Sequence, residues 1–276
     1  MRVAITGANS GIGLRAVRRF AESGADVIAL SRSRERGELA IATLQPEARA
    51  RVRLVELDLA SPVSIAGAAE TVVADGPLDV LINNAAVFDL SAREARFTET
   101  GQELFWATNH LGPTEFTARV SGALAAAPSP RVVFVASKGL VTMPGLAIRF
   151  DALTDGSWFT PTKAYYHSKL AQVMTAVTLA ERVGDLVDVD IALQTFDHGG
   201  FKLVQGDGLV RDFPERDHRV LVIVTVNGQL AANRQLTRPL GGHHDELKAV
   251  RNFKNAVFDG NAGHLANLQL QKEEGI

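Results

Sequence analysis

A single-domain, doubly wound α/β fold with a parallel sheet is what this sequence predicts. Short Val/Ile/Leu-rich runs recur with helical patterns between them, a glycine-rich turn follows the first run, and no Pro/Gly linker, repeat or low-complexity tract divides the 276 residues. Near-continuous apolar runs belong to strands covered on both faces, and parallel strands need crossovers of one hand. The expected strands are Arg2 to Ile5, Asp26 to Leu30, Val52 to Leu57, Asp79 to Ile82, Arg131 to Ala136 and Val187 to Leu193. In such a sheet ligands bind beyond the carboxyl ends of the strands. Gly7, Asp58, Asn84 and Ser137 all fall there.

Composition narrows the function classes. With 46% hydrophobic residues the chain can bury a sizeable core, and a net charge of −2 offers no electrostatic footprint for nucleic acid or an acidic membrane surface. There is no cysteine, which excludes disulfides, thiol nucleophiles and cysteine metal sites. The first expected strand begins at Arg2, leaving no room for a signal peptide, and no run approaches the ~18 apolar residues of a membrane span. The expectation is a cytoplasmic protein with a small-molecule substrate.

The first chemical signal is Thr6-Gly7-Ala8-Asn9-Ser10-Gly11-Ile12-Gly13, between the first strand and a helix expected over Leu14 to Ser23. A strand, a glycine turn and a helix N-terminus make an anion site, because backbone N–H groups and the positive end of the dipole point outward and missing side chains let a pyrophosphate approach. The spacing is Gly-x-x-x-Gly-x-Gly. Gly7, Asn9, Ser10, Gly11, Ile12 and Gly13 are the expected contacts.

The second signal is Tyr165 with Lys169. Ala164 to Ala180 has helical periodicity, so residues four apart leave the same face. A tyrosine exchanges protons near neutral pH only if its phenolate is stabilised by a nearby cation, which Lys169 can supply. A Tyr-x-x-x-Lys pair is also common on ordinary half-exposed helices; it gains meaning from the company it keeps.

Taken together, from Arg2 to about Val189, these residues resemble the short-chain dehydrogenase/reductase family. Leu57-Asp58-Leu59 resembles the family's adenine-contacting acidic position, and Asn83-Asn84-Ala85-Ala86 is similar to its Asn-Asn-Ala-Gly stretch, with Ala86 in place of glycine. Asn109 stands where the family's helix-four asparagine would be, Ser137 matches its catalytic serine, and Tyr165 and Lys169 complete the tetrad. The run Ala164 to Gln172 is most similar to the branch of retinol dehydrogenases and protochlorophyllide reductases, which implies an apolar substrate. The resemblance implies a Rossmann-type fold and an oxidoreductase that reduces a ketone or aldehyde by hydride transfer. Tyr165 would give its proton to the oxygen that Ser137 polarises; Lys169 would lower the tyrosine pKa and hold the ribose, and Asn109 would place a water linking Lys169 to solvent. It also implies a homo-dimer or homo-tetramer through the helices of Asn109 and Tyr165, with Leu170, Met174 and Val177 as apolar surface.

NADP(H) is the expected cofactor. An NAD enzyme of this architecture usually has an acidic residue after the second strand. Here the sequence is Leu30-Ser31-Arg32-Ser33-Arg34, where Arg32 can fork onto a 2′-phosphate, Ser31 can donate a hydrogen bond and Arg34 adds charge. Ala85 follows Asn84 among the expected cofactor contacts, and Leu59 follows Asp58. Trp106 is expected in the core, while Trp158 and Phe159 are the expected substrate contacts; His243-His244-Asp245-Glu246 has no metal-ligand spacing, so no metal is expected.

Beyond Leu193 the pattern decays. Phe196 to Leu203 lacks the family's proline and its threonine, residues 194–276 are expected to form a divergent substrate wall of the same domain, Val220 to Val226 reads as a seventh strand, and His243 to Phe258 as a helix. Two other function classes stay open: an isomerase or dehydratase that keeps NADP bound without net redox, and a non-catalytic NADP-sensing regulator.

Overall fold

The structure is a computed structural model that describes residues 1–137, 139–140, 143, 145–150, 153, 155–183, 186–194 and 221–225. A seven-stranded sheet organises them. Its strands are β1 (Arg2–Thr6), β2 (Asp26–Ser31), β3 (Val52–Glu56), β4 (Val80–Asn83), β5 (Arg131–Ser137), β6 (Asp188–Gln194) and β7 (Leu221–Thr225), in the order β3-β2-β1-β4-β5-β6-β7. The first six are parallel, while β7 joins the β6 edge antiparallel. The reversal of strand order lies between β1 and β4, where an open α/β sheet leaves its ligand crevice.

The strands obey the period of two. Val3, Ile5, Val27 and Ala29 face one side and pack under α1 (Gly11–Glu22) and α3 (Pro46–Arg49), whereas Ala4, Ile28 and Leu30 face the other. That second face is covered by α4 (Pro62–Ala74), α6 (Gly112–Arg119), α7 (Ser121–Ala125) and α8 (Pro161–Val183). A short α2 (Arg34–Ala42) is capped by Ser33, whose hydroxyl accepts from the Arg36 N–H, and it packs on the β2–β3 edge. Both sheet faces are therefore apolar, as the unbroken hydrophobic runs require.

Element bounds differ from the expected ones by a residue or two at the strands. The first helix starts earlier, at Gly11 instead of Leu14, so Gly11 and Gly13 belong to its first turn. Leu170, expected as apolar surface, is a core residue at 4% exposure; Met174 and Val177 are half-buried beside it. The segments Phe196 to Leu203 and His243 to Phe258 lie outside the described residues. Among the described residues no helix is long and apolar enough to cross a membrane.

Candidate active site

The glycine turn is an open cradle. Gly7 and Gly11 have φ of +66° and +53°, in the left-handed region that a side chain disfavours. A Cβ on Gly13 would be driven into the Gly7 carbonyl oxygen and lie 2.7 Å from Asn84 Nδ2, so the turn closes only around glycine. Ser10, the N-cap of α1, makes no side-chain cap bond, and no acidic residue occupies the first turn. The N–H groups at this helix start are thus left for an anion. Asn9 and Ile12 are half-buried along the turn, whereas Ser10 and Gly11 are exposed. These features fit a dinucleotide pyrophosphate.

The end of β4 is tied to this turn by a residue the sequence reading did not single out. Thr6 Oγ1 accepts from the N–H groups of Asn84 and Ala85, at 3.0 and 2.9 Å. Asn84 Nδ2 in turn donates to the Thr6 carbonyl at 2.9 Å. A Cβ on Gly7 would lie 2.8 Å from Ala85 Cα, so Ala85 sets how closely the β4 end approaches the turn. Beyond β3, Asp58 Oδ1 accepts from the Ala60 N–H at 2.9 Å, and Leu59 is buried with its carbonyl oxygen against Gly112. Asp58 and Leu59 thus shape the loop beyond β3 at this edge of the sheet.

At the end of β2 two of the expected contacts change character. Ser31 is buried, and its hydroxyl donates to the Ser33 carbonyl at 3.0 Å, so it stabilises the turn and does not present a donor to a phosphate. Arg34 lies 3.9 Å from Glu38 and 3.8 Å from Glu56, which offsets its charge. Arg32 is exposed and has no ion-pair partner among the described residues. It alone at this strand end keeps its guanidinium fork available.

Asn109 lies in a π-helical turn, Ala107–Leu111, between α5 (Leu104–Trp106) and α6. Pro113 has no N–H, so an α-helix would deprive the Asn109 carbonyl of its partner four residues on; the chain widens there, and the Gly112 N–H reaches back five residues to Ala107. The Asn109 side chain is fully buried. Its Oδ1 accepts from the Val87 N–H at 2.7 Å, and its Nδ2 donates to the Val87 carbonyl and to Ser168 Oγ, both at 3.0 Å. The side chain is therefore a clamp between the β4 loop and α8, not a free donor for a water.

Ser137 closes β5, and Tyr165 and Lys169 rise from one face of α8, which packs against that strand. The Ser137 hydroxyl lies close enough to the Tyr165 phenol to act on its titration. Burial pushes that phenol up to about 12; the Ser137 hydroxyl opposes this and the neighbouring Tyr166 adds to it. Lys169 is buried, and burial brings its ammonium down to about 7. Its Nζ donates to the Val135 carbonyl at 2.7 Å and to Gln172 Oε1 at 3.0 Å, and lies 6.0 Å from the Tyr165 ring centroid. The expected lowering of the tyrosine pKa by Lys169 is not among the influences on the phenol here, which desolvation dominates.

The family model for short chain dehydrogenase matches residues 1–148, more than half of the chain. The chain belongs to the short chain dehydrogenase family. Retinol dehydrogenase 14 of Homo sapiens is 34% identical over 205 residues, covering 68% of this chain and 59% of the relative. Chloroplastic protochlorophyllide reductase of Chlamydomonas reinhardtii is 33% identical over 210 residues, covering 68% of this chain and 53% of the relative. The chain thus spans 53% to 59% of these relatives' length. Among solved structures, an uncharacterised protein from Mycobacterium Paratuberculosis superposes with a TM-score of 0.57 at 32% identity, over 68% of this chain and 65% of its own. The bulky-bulky ketone specific alcohol dehydrogenase from Comamonas testosteroni shares the fold, with a TM-score of 0.57 at 21% identity over 71% of this chain and 73% of its own.

In this short chain dehydrogenase the aromatic surroundings of Tyr165 differ from the expected ones. Trp158 packs edge-on against His167, 4.9 Å between centroids, and His167 is two residues from Tyr165, hence on another face of α8. Trp158 is therefore directed away from the Tyr165–Lys169 face. Phe159 is the better placed of the pair, in a cluster with Phe105, Ala164 and Tyr165. Trp106 is in the core as expected. Phe88 was missed: it stacks on the Tyr165 ring at 4.2 Å and remains 38% exposed. Its position four residues past Asn84, beyond a strand end, was the available signal. Tyr166 meets the Tyr165 ring edge-on at 5.3 Å, and its phenol occupies the space a Cβ on Gly139 would need.

Proposed function

We propose that this enzyme reduces a ketone or aldehyde of a small, rather apolar substrate to an alcohol, with NADPH as the reductant. The observation that carries the reading is the placement of Ser137 at the end of β5 beside Tyr165 and Lys169 of α8, on the same sheet edge as the Gly7–Gly13 cradle. Bound NADPH would supply the hydride. Gly7, Asn9, Ser10, Gly11, Ile12 and Gly13 would hold its pyrophosphate, with Asp58, Leu59, Asn84 and Ala85 along the adenine and ribose path. Tyr165 would pass its phenolic proton to the substrate oxygen while Ser137 donates a hydrogen bond to that oxygen. A raised phenol pKa keeps that proton in place at neutral pH, which the reduction direction requires. Lys169, carrying the third donor of its ammonium, would hold the ribose and return the proton, and Asn109 would keep the β4 loop and α8 in register. Phe88 and Phe159 offer the apolar walls, in keeping with relatives named for retinol and protochlorophyllide. A screen of apolar ketones and aldehydes followed by NADPH consumption tests the reading, and silence across the screen contradicts it.

Cofactor choice rests on Arg32. Arg32→Ala is expected to reduce the preference for NADPH over NADH, as a ratio of kcat/KM, by about tenfold or more, the weight of one charge-assisted hydrogen bond to a phosphate. An unchanged ratio refutes NADP(H) selection at this position.

The same reading includes a homo-dimer or homo-tetramer built on the π-helical turn, α6 and α8, where Leu111 is exposed and Met174 and Val177 are half-buried. Light scattering at micromolar concentration is expected to give a multiple of the 29.6 kDa chain mass, and a monomer contradicts the proposal.

A further inference from the structure

Gln172 has no part in the reading above, yet its environment is unusual. It lies three residues after Lys169 on α8, on the same helical face, and is 1% exposed. Its Oε1 accepts from Lys169 Nζ at 3.0 Å, while its Nε2 is buried with no hydrogen-bond partner among the described residues. An orphaned buried donor costs about 1–3 kcal/mol, and a methionine would fill a similar volume without that cost. The side chain is therefore explained by its oxygen. With the Val135 carbonyl, that oxygen occupies two of the three ammonium donors and leaves one for a ligand.

We propose that Gln172 is a positioning residue for Lys169: its amide oxygen holds the ammonium behind Tyr165, and its neutrality leaves the lysine without a counter-charge. A carboxylate here would lock the proton on Lys169. An apolar side chain would release both its position and its proton. Neither acceptor carries charge, so burial acts on Lys169 unopposed. The titratable groups on the elements packed against α8 are His110 on the π turn, Arg131 on β5, and Asp188 and Asp190 on β6. Arg131 pairs with both aspartates, at 3.2 and 3.1 Å. On α8 itself the flanking groups are Lys163, Tyr165, Tyr166 and His167, with Glu181 and Arg182 three turns further on. None of these is a cause of the lysine shift.

The inference rests on Lys169 serving the active site, but its test does not. The cofactor-free full chain is labelled at lysine Cε with carbon-13, the Lys169 resonance is identified by its loss in Lys169→Met, and its titration is followed by NMR. In the wild type the midpoint is expected near 7. Gln172→Glu should raise it by about one to three pH units, as an opposite charge within hydrogen-bonding distance does, and Gln172→Met should lower it. NADPH titration by fluorescence should then show weaker binding to Gln172→Met and recovery in Gln172→Glu. A midpoint that Gln172→Glu does not raise overturns the proposal, and this arm decides alone if circular dichroism shows Gln172→Met unfolded. A wild type that titrates as expected yet binds no NADPH instead overturns the functional reading and leaves the Lys169–Gln172 pairing standing.

Discussion

Tyr165→Phe is expected to lower NADPH-dependent reduction by about 10²–10⁴-fold, the usual weight of a positioned general acid. The change removes one oxygen. The ring would still stack on Phe88 and meet Tyr166 edge-on, so the fold and the affinity for NADPH should survive. Tyr166→Phe is the matched control, because the other tyrosine of the pair packs its phenol against Gly139 and its ring against Tyr165, while the Ser137 hydroxyl acts on Tyr165. It should keep much of the wild-type rate. Steady-state rates, with NADPH affinity from fluorescence titration and fold from circular dichroism, separate the two. Near-wild-type turnover in Tyr165→Phe removes the general acid from the account.

Gly13→Ala should weaken function by a different route. The added Cβ would run into the Gly7 carbonyl oxygen and Asn84 Nδ2, both fixed by the hydrogen bonds that join β1 to β4. Backbone cannot step aside as a flexible side chain does, so the turn must open. Overpacking of this kind costs typically about 1–3 kcal/mol, enough to weaken NADPH binding by roughly tenfold to hundredfold if the strain falls on the cradle. Gly67→Ala on α4, where a Cβ meets nothing within 4 Å, is the control and should leave NADPH affinity unchanged. Equal affinities for Gly13→Ala and wild type would show that the cofactor does not rest on this turn.

What the sequence revealed was local. β1, the glycine turn and α1 announce themselves through adjacent residues, and Tyr165 and Lys169 are linked by helical spacing alone, so both could be read before any contact was known. The register of Ser137 against Tyr165 followed from the strand end on which the serine lies. Long-range contacts were not legible. Nothing near Asn109 signals that its amide is spent on Val87 and Ser168, 22 and 59 residues away; even the local turn of the Ser31 hydroxyl onto the Ser33 carbonyl was hidden, because a serine at a strand end can face either way. Trp158 reads as a substrate contact because it precedes Tyr165 in sequence, but its ring packs on His167, two residues past Tyr165 and on a different face of the helix. The orientation of β7 was likewise hidden, since an apolar run does not state the direction in which it pairs.

The most direct test of the central claim follows the hydride. The full chain is incubated with NADPH deuterated at the nicotinamide C4 and with an apolar ketone or aldehyde taken from the screen, and the product is examined by mass spectrometry and NMR. The account predicts an alcohol carrying one deuterium at the carbinol carbon, formed in step with NADP and lost in Tyr165→Phe. Product without deuterium, or protein that holds NADP tightly and never consumes NADPH with any carbonyl, would contradict it.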